Sequence, residues 1–317
     1  NLTIAPNLND PETLWKSNQL GATGNHLHLN ALYDVLNRTY IDALVQTAST
    51  YQEHRACIQM IERVTLDKVI LIADRGYENY NIMSHAIEKG WKFLIRIKDV
   101  HSNGIASGLE LPQTAVFDMD INLILTRNQT KSKKQAGYKF MPTVQTFDYL
   151  PIGSKEDYPI SFRIARFKIA DDSYETVITN LDRFCFSAEK LKELYHLRWG
   201  IETSFRELKY AIGLTSFHAK KVDYIKQEIF ARLTLYNYGK LITTYVVEHT
   251  ENISKKNQVN FTIAIYICRE YLRRKRKLRP PDVVKLIEKH ILPIRPGRRD
   301  PRKVKPQASV SFLYRVA

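Results

Sequence analysis

The sequence predicts an α/β protein in which a mixed β-sheet carries helices on both faces. The run VILIA, residues 69–73, is short, continuously apolar and β-branched, which is typical of a strand buried on both faces. ENYNIMSHAIEKG follows with helical spacing and ends at Gly90, and WKFLIRIK then has the composition of a second strand. These segments form a β-α-β unit, and a hydrophobic content of 44% is ordinary for a folded protein.

Two strands and a helix are predicted ahead of this unit. HLHLNALYDVL and RTYIDALVQT predict strands joined by a turn at residues 34–38, and residues 51–64 have helical spacing. A hairpin followed by a β-α-β unit is the order expected of an RNase-H-like fold. In that fold we expect a further strand ahead of residue 1.

Residues 100–186 predict an all-β insertion that interrupts this core. Polar turns there separate four β-rich runs, FDMDINLILTR, YKFMPTVQTFDYL, PISFRIARFKIA and YETVITNL. The insertion divides a first core part, 1–99, from a second, 187–250, which carries two long helices. Residues 251–317 are expected to form a helical, basic C-terminal region with a tail.

The charge of the chain indicates a polyanionic partner. Its net charge is +15 and its pI about 9.6, which favours nucleic acid ahead of an anionic membrane. No apolar run has the length of a membrane span. The three cysteines follow no ligand or disulfide pattern, which fits a reducing cytoplasm. Basic stretches at 131–134, 273–279 and 295–305 are phosphate contacts or solvated charge runs, with neither favoured.

The first helix of the second core part carries a mixed charged face. Ser187 is its expected N-cap, and it is predicted to run to about Ala211 and end near Gly213. At about 100° per residue, four side chains fall within about 60° of Tyr195. They are Arg198, Glu202, Arg206 and Lys209. One carboxylate among cations and a phenol suits metal-dependent phosphate chemistry, although a solvated face with ion pairs is the commoner use of such a pattern.

The spacing Tyr-x2-Arg-x3-Glu-x6-Lys, preceded by an ADRGY segment, resembles the insertion-sequence transposases of the DDE superfamily, in particular the type four family. GNHLHLNALYDVLNRTYIDA, KVILIADRGYENYNIMSHAIEKGWKFLIRIKD and DDSYETVITNL also resemble family blocks, so the resemblance spans about 1–245. It implies that Glu202 is a catalytic metal ligand and that Tyr195, Arg198 and Lys209 contact the transposon end. Arg206 shares their face and is a further candidate DNA contact outside the family motif.

Asp74 is the second candidate metal ligand. It directly follows VILIA, at the carboxyl end of a predicted strand, where ligand groups of α/β sheets gather. Capping of the next helix is an equally common use of such an Asp, but the resemblance favours the metal. Two Mg²⁺ ions, with Mn²⁺ as a substitute, would activate a hydroxyl for in-line attack and stabilise the departing oxygen. The family's first catalytic Asp is expected ahead of residue 1, so we expect two of the three ligands here, and neither Asp10 nor Asp34 is a convincing substitute.

The resulting hypothesis is a DNA transposase that cleaves transposon ends and transfers strands by a cut-and-paste route. Its partners would be double-stranded DNA, at transposon ends and target, and a second copy in a synaptic homodimer, with no membrane. The location would be the cytoplasm of a bacterium or archaeon, at the nucleoid. A truncated, inactive remnant that binds DNA without cutting it, and a stand-alone RNase-H-like nuclease, are the alternatives.

Trp91 and Trp199 are expected to pack in the core rather than stack on a displaced base.

Overall fold

A computed structural model describes residues 1–16, 23–100, 102–250, 257–274 and 279–294. Its strands are β1 Leu2–Ile4, β2 Leu14–Lys16, β3 Thr23–Asp34, β4 Thr39–Thr47, β5 Ile70–Ala73, β6 Lys92–Arg96, β7 Phe117–Thr126, β8 Tyr138–Phe140, β9 Asp157–Ala170, β10 Ser173–Thr179, β11 Asn257–Val259 and β12 Ile291–Pro293. Its helices are α1 Glu53–Arg63, α2 Tyr80–Glu88, α3 Gln129–Lys134, α4 Ala188–His196, α5 Trp199–Glu207, α6 Val222–His249, α7 Phe261–Arg273 and α8 Val283–Glu288.

The chain divides into two compact units. Residues 52–198 form one, here called the central unit, and residues 1–51 with 199–317 form the other, the outer unit. The boundary at residues 198–199 falls inside the segment that was predicted as one helix. Among the described helices, none combines the length and the apolar character that a membrane crossing requires.

The central unit is built on a six-stranded mixed sheet with the order β5-β6-β10-β9-β7-β8. The pairs β5–β6 and β7–β8 are parallel and the others antiparallel. Side chains alternate across a strand, and Leu94 packs with Leu191 of α4 on one face. The neighbouring Phe93 and Ile95, both fully buried, point to the opposite face, and α2 contacts β6. The predicted α/β class, a mixed sheet with helices on both faces, is confirmed.

The segment predicted as an insertion continues this same sheet, because β10 pairs with β6. One predicted strand, residues 138–150, is mostly wrong: only Tyr138–Phe140 is extended. Beyond it the Arg127 guanidinium donates to the carbonyls of Met141, Pro142, Gln145 and Leu150, so the loop satisfies its backbone on a side chain instead of a neighbouring strand. Helix α3 was not predicted.

The outer unit holds the predicted hairpin, in which β3 and β4 pair antiparallel from Leu27↔Thr47 to Asp34↔Thr39. The short strands β1 and β2 also pair with β3 and were not predicted. The core of this unit joins the hairpin to α6 through a cluster of buried side chains that includes Leu27, Tyr40, Ile229 and Tyr236. Helices α7 and α8 pack on α6, as the predicted helical C-terminal region requires.

The single helix predicted from Ser187 to about Ala211 is wrong. Ser187 does cap α4, accepting a hydrogen bond from the Lys190 N–H, but the helix stops after His196. The next two N–H groups, of Leu197 and Arg198, donate to carbonyls only three residues back, at 3.1 Å each. This tighter turn separates α4 from α5.

The end of α5 also departs from regular α-helix. A π-helical turn, Leu208–Ile212, continues it, and Gly213 then ends the segment at a φ of +89°, a left-handed conformation that favours glycine. The predicted end near Gly213 is therefore correct, although the residues before it lack the α-helical spacing that the prediction assumed.

Strand β5 is confirmed, but it is buried on one face more than on the other. Leu71 and Ala73 are buried, while Ile70 and Ile72 are only partly covered. The reason is its position at one end of the sheet order, next to β6 alone.

Of the basic stretches that were predicted as possible phosphate contacts, residues 275–278 and 295–305 lie outside the described residues.

Candidate functional site

Asp74 lies at the carboxyl end of β5, as predicted, and it also caps the turn that follows. Its Oδ1 accepts a hydrogen bond from the Gly76 N–H at 2.8 Å and begins a 3₁₀ turn, Arg75–Tyr77. The side chain is exposed. The two uses considered for this residue, ligand position and cap, are therefore compatible, because the cap occupies one carboxylate oxygen and leaves the group in contact with solvent.

Neighbouring side chains fix the turn that carries Asp74. The Nε2 atom of His54, on α1, lies 2.6 Å from the Gly76 carbonyl oxygen. Glu78 accepts hydrogen bonds from the Lys98 N–H, at 2.8 Å, and from the Ile105 N–H. The loop after β6 is thereby tied to the loop after β5, and both leave the sheet at the same edge because the two strands are parallel.

A cleft lined by charged side chains of both signs opens at this edge of the central unit. It is lined by Arg75, Arg96, Ile97, Lys98, Asp99, Tyr174, Glu175 and Thr176. Arg96 pairs with Glu175 through its Nε at 3.1 Å. Arg166 stacks on the Tyr174 ring with its Cζ 4.7 Å from the centroid, and it also pairs with Asp99 at 3.5 Å. Sequence reasoning missed these cations, although Arg96 and Lys98 stand two residues apart at the end of a predicted strand, which puts them on one side of the chain at this edge.

Tyr195 lies at the end of α4 and is buried, at 6% exposure, in the cluster that covers the sheet. The single helix face that was predicted to join Tyr195 to Glu202 and Lys209 does not form, because α4 ends after His196. The burial of Tyr195 agrees with the alternative of a core tyrosine. Burial raises the pKa of the Tyr195 phenol, the charges of Arg198 and Arg96 lower it, and that of Glu175 raises it. The Arg198 guanidinium lies with its Cζ 5.6 Å from the Tyr195 ring centroid.

Glu202, Arg206 and Lys209 belong to the outer unit. Glu202 and Arg206 are exposed on α5, and Lys209 is partly exposed in the π-helical turn. The structure thus places Tyr195 and Arg198 in the central unit with the cleft, and the other two motif residues, Glu202 and Lys209, with Arg206 on one segment of the outer unit. Trp91 is buried as expected, but Trp199 is 56% exposed, so its predicted core packing is wrong.

A polar network anchors α5 within the outer unit. It consists of Tyr33, Tyr40, Ser204, Glu207, Tyr236 and Lys240 and is here called the α5 network. The Glu207 carboxylate accepts from the Tyr236 hydroxyl and from the Lys240 ammonium, at 2.8 Å each. The Tyr236 and Tyr33 hydroxyls are 3.2 Å apart, and the Tyr40 hydroxyl lies 2.6 Å from the Ser204 Oγ.

The energetics of the network depend on its burial. Lys240 is only 8% exposed, and burial lowers its pKa while the Glu207 carboxylate raises it. Desolvation also raises the pKa of the Tyr236 phenol. Buried polar groups of this kind are costly unless each finds its partner, so the network constrains how α5 sits on α6 and on the hairpin. No local sequence pattern pairs residues 33 positions apart, and this contact was not predicted.

Asp74 and Glu202 both offer hard oxygen donors in contact with solvent, the donor type that Mg²⁺ prefers. Within the described ranges, no three or more His, Cys, Asp or Glu side chains are grouped closely enough to hold an ion. Asp34 and Asp10 were considered as substitutes for the family's first catalytic Asp. Both cap turns, because the side chain of each accepts hydrogen bonds from backbone N–H groups just after it in the chain.

Comparison with known families decides the identity of the chain. Residues 11–238, which are more than half of it, match the family described as the transposase DDE domain. The chain belongs to this family. The match covers every motif residue discussed above, from Asp74 to Lys209, and the resemblance to DDE-superfamily transposases is confirmed.

One curated relative of this transposase DDE domain is a probable transposase for insertion sequence element IS5377 from Geobacillus stearothermophilus. It is 23% identical over 178 residues, which cover 55% of this chain and 40% of the relative. The chain therefore matches about two fifths of the length of that relative.

Proposed function

We propose that this chain is the catalytic part of an insertion-sequence transposase, which cleaves DNA at transposon ends and transfers the strands by a cut-and-paste route. The observation that carries the proposal is the cleft that brings Arg75, Arg96 and Lys98 together, beside Asp99 and Glu175, at the sheet edge where Asp74 emerges, in a chain of the transposase DDE domain family. A carboxylate beside clustered cations is suited to a phosphodiester, because the cations hold the phosphate while the carboxylate serves the reaction.

The chain's own cations would bind and orient the DNA backbone. Arginine presents a planar fork that matches a phosphate with two hydrogen bonds, whereas a lysine offers a point charge. Arg198 and Arg96 would therefore fix the position of a phosphate, and Lys209 and Arg206 would add charge along the strand. The Tyr195 hydroxyl is buried, so it would donate to a phosphate oxygen only once DNA binding uncovers it, and it is not a nucleophile in this scheme. The net charge of +15 supports the same partner.

Asp74 and Glu202 would hold divalent ions, with Mg²⁺ as the expected metal and Mn²⁺ as a substitute. When bound, two such ions would make an attacking hydroxyl more acidic and stabilise the departing oxygen. The exposed carboxylates fit this group, since hard oxygen donors with access to water are what Mg²⁺ requires.

The proposed working form is a homodimer that holds paired element ends, in the bacterial or archaeal cytoplasm at the nucleoid. The test uses DNA duplexes that carry the terminal sequences of the element together with a target plasmid. Protein variants of different length are first compared for binding to these ends. The shortest variant that binds them is then incubated with Mg²⁺ or Mn²⁺. We expect cleavage at the element end and joining of its 3′-hydroxyl to the target.

The two alternatives predict different products. Binding without cleavage, in every length of the protein tested, would favour the inactive remnant. Cleavage without joining would favour a nuclease.

Replacing Arg198 with Ala is expected to weaken binding to element-end DNA by about 10- to 100-fold, since a hydrogen bond to a charged group contributes about 1.5–3 kcal/mol. The slope of log K against log salt should fall by about one, because one phosphate contact is lost. Fluorescence anisotropy at several salt concentrations measures both. Arg63→Ala, at the exposed end of α1, is the control and should change neither. An Arg198→Ala variant that binds like wild type would remove Arg198 from the interface.

A further inference from the structure

His54 connects helix α1 to the turn that follows Asp74. Its Nε2 lies 2.6 Å from the Gly76 carbonyl oxygen, and its Nδ1 lies 3.2 Å from the Asn79 Nδ2. His54 is partly exposed, so neither contact is enforced by deep burial. Both ring nitrogens are nevertheless engaged, one with each side of the short segment between β5 and α2.

The partners of His54 determine which nitrogen carries its proton. Asn79 is the N-cap of α2, and its Oδ1 accepts from the Asn81 N–H at 2.7 Å. The cap fixes the orientation of this amide, so its Nδ2, which only donates, faces the ring. The His54 Nδ1 must then accept, and the Nε2 must carry the hydrogen that it donates to the Gly76 carbonyl, which only accepts. The contacts therefore select the neutral Nε2–H tautomer.

The hydrogen bond from His54 and the hydrogen bond to the Asp74 carboxylate both involve the backbone of Gly76, through two adjacent peptide groups. The Gly76 N–H donates to the Asp74 Oδ1 at 2.8 Å, and the Tyr77 N–H donates to the Asp74 carbonyl at 3.0 Å. Gly76 is thus held on its carbonyl side by His54 and on its amide side by the Asp74 carboxylate. Rotation of the turn would break both contacts, so a rigid His54 limits the directions in which that carboxylate can point.

We propose that His54 is a positioning residue for Asp74. It holds the Gly76 carbonyl through its Nε2–H and thereby keeps the Asp74 carboxylate in the orientation that its role requires. The proposal rests on the proposed function, in which Asp74 is a catalytic metal ligand. Asn79 supports it by orienting the imidazole, as an outer partner commonly orients a functional histidine or carboxylate.

The first test is spectroscopic and needs no catalysis. In ¹⁵N-histidine-labelled 317-residue chain, the ring signals that disappear in His54→Phe belong to His54. We expect them to report a neutral ring protonated on Nε2 under mildly alkaline conditions. We also expect the Gly76 and Tyr77 amides to exchange about five- to tenfold faster in His54→Phe, as the loss of one ordinary hydrogen bond implies. A ring protonated on Nδ1, or unchanged exchange, would overturn the proposal.

The second test separates positioning from binding. In the shortest length of the protein that cleaves element-end DNA, His54→Phe should slow cleavage of bound DNA by about tenfold or more and leave the Kd for the DNA unchanged. His54→Gln should recover most of the rate, because its amide can donate to the Gly76 carbonyl. Gln59→Ala, an exposed position on the same helix, is the matched control.

The outcomes distinguish this inference from the proposed function. A His54→Phe variant that cleaves at the wild-type rate, or a His54→Gln variant as slow as His54→Phe, would overturn the positioning role. Wild-type cleavage by Asp74→Asn would instead overturn the catalytic role of Asp74, and the spectroscopic test would still report on the contact itself.

Discussion

Replacing Asp74 with Asn is expected to reduce cleavage of element-end DNA by about a thousandfold or more while leaving the fold of the turn intact. An asparagine Oδ1 can still accept the hydrogen bond from the Gly76 N–H, so the cap is retained. The variant therefore removes the negative charge alone. Stabilisation of transition-state charge by a bound metal is worth several kcal/mol, and each 1.36 kcal/mol is tenfold in rate.

This substitution separates the two uses of Asp74 that the structure shows to be compatible. If the residue were only a cap, Asp74→Asn would cleave within about threefold of wild type, since Asn and Asp are nearly equivalent N-caps. Single-turnover cleavage of pre-bound DNA is the measurement, with Kd measured separately so that a loss of binding is not mistaken for a loss of chemistry. Amide exchange at Gly76 and Tyr77 confirms that the turn is unchanged.

Glu202→Gln is the parallel substitution on α5 and should have an effect of similar size, because the amide keeps the shape of the side chain but not its charge. Glu193→Gln is the matched control: Glu193 is an exposed carboxylate on α4 and lies outside the motif. Equal cleavage by Glu202→Gln and Glu193→Gln would remove Glu202 from the reaction. Loss of activity in both would indicate a general effect of charge.

Replacing Lys240 with Met is expected to destabilise the outer unit by about 3–5 kcal/mol, the cost typical of breaking a buried ion pair by removing one partner. The Lys240 and Glu207 side chains are only 11% and 22% exposed, so solvent screens their pairing little. Without the Lys240 ammonium, the Glu207 carboxylate still accepts the hydrogen bond from the Tyr236 hydroxyl, but no positive charge balances it. Hydrogen exchange in α5 and α6 of the 317-residue chain, with and without urea, measures the effect on this unit.

A double-mutant cycle identifies the cause of that loss. Glu207→Gln alone should also destabilise, because it leaves the Lys240 ammonium buried without a counter-charge. The double variant Glu207→Gln, Lys240→Met should be more stable than the sum of the two losses predicts, with a coupling of about 1–3 kcal/mol. Lys285→Met is the control in the same unit, since that ion pair is exposed and spans 3.8 Å. Additive losses would show that the two side chains are not energetically paired.

These predictions depend to different degrees on the sequence. The strand before Asp74, the helix that Gly90 closes and the hairpin of β3 and β4 follow from local periodicity and turn residues, and all were predictable. So was the family, because the motif spacing and its flanking blocks are local patterns. Local periodicity failed where the chain leaves one element for another: it gave a continuous helix through Leu197 and Arg198, where the structure has a break.

The sequence by itself determined the hairpin, the β-α-β unit, the basic character and the motif residues of this protein. Only the tertiary structure decided that Tyr195 is buried, that Arg75, Arg96 and Lys98 line one cleft, and that Glu207 pairs with Lys240. The physical reason is the range of the interactions. Helical and strand periods relate residues a few positions apart, whereas strand order and helix packing set which distant side chains meet, and these depend on the free energy of the whole core.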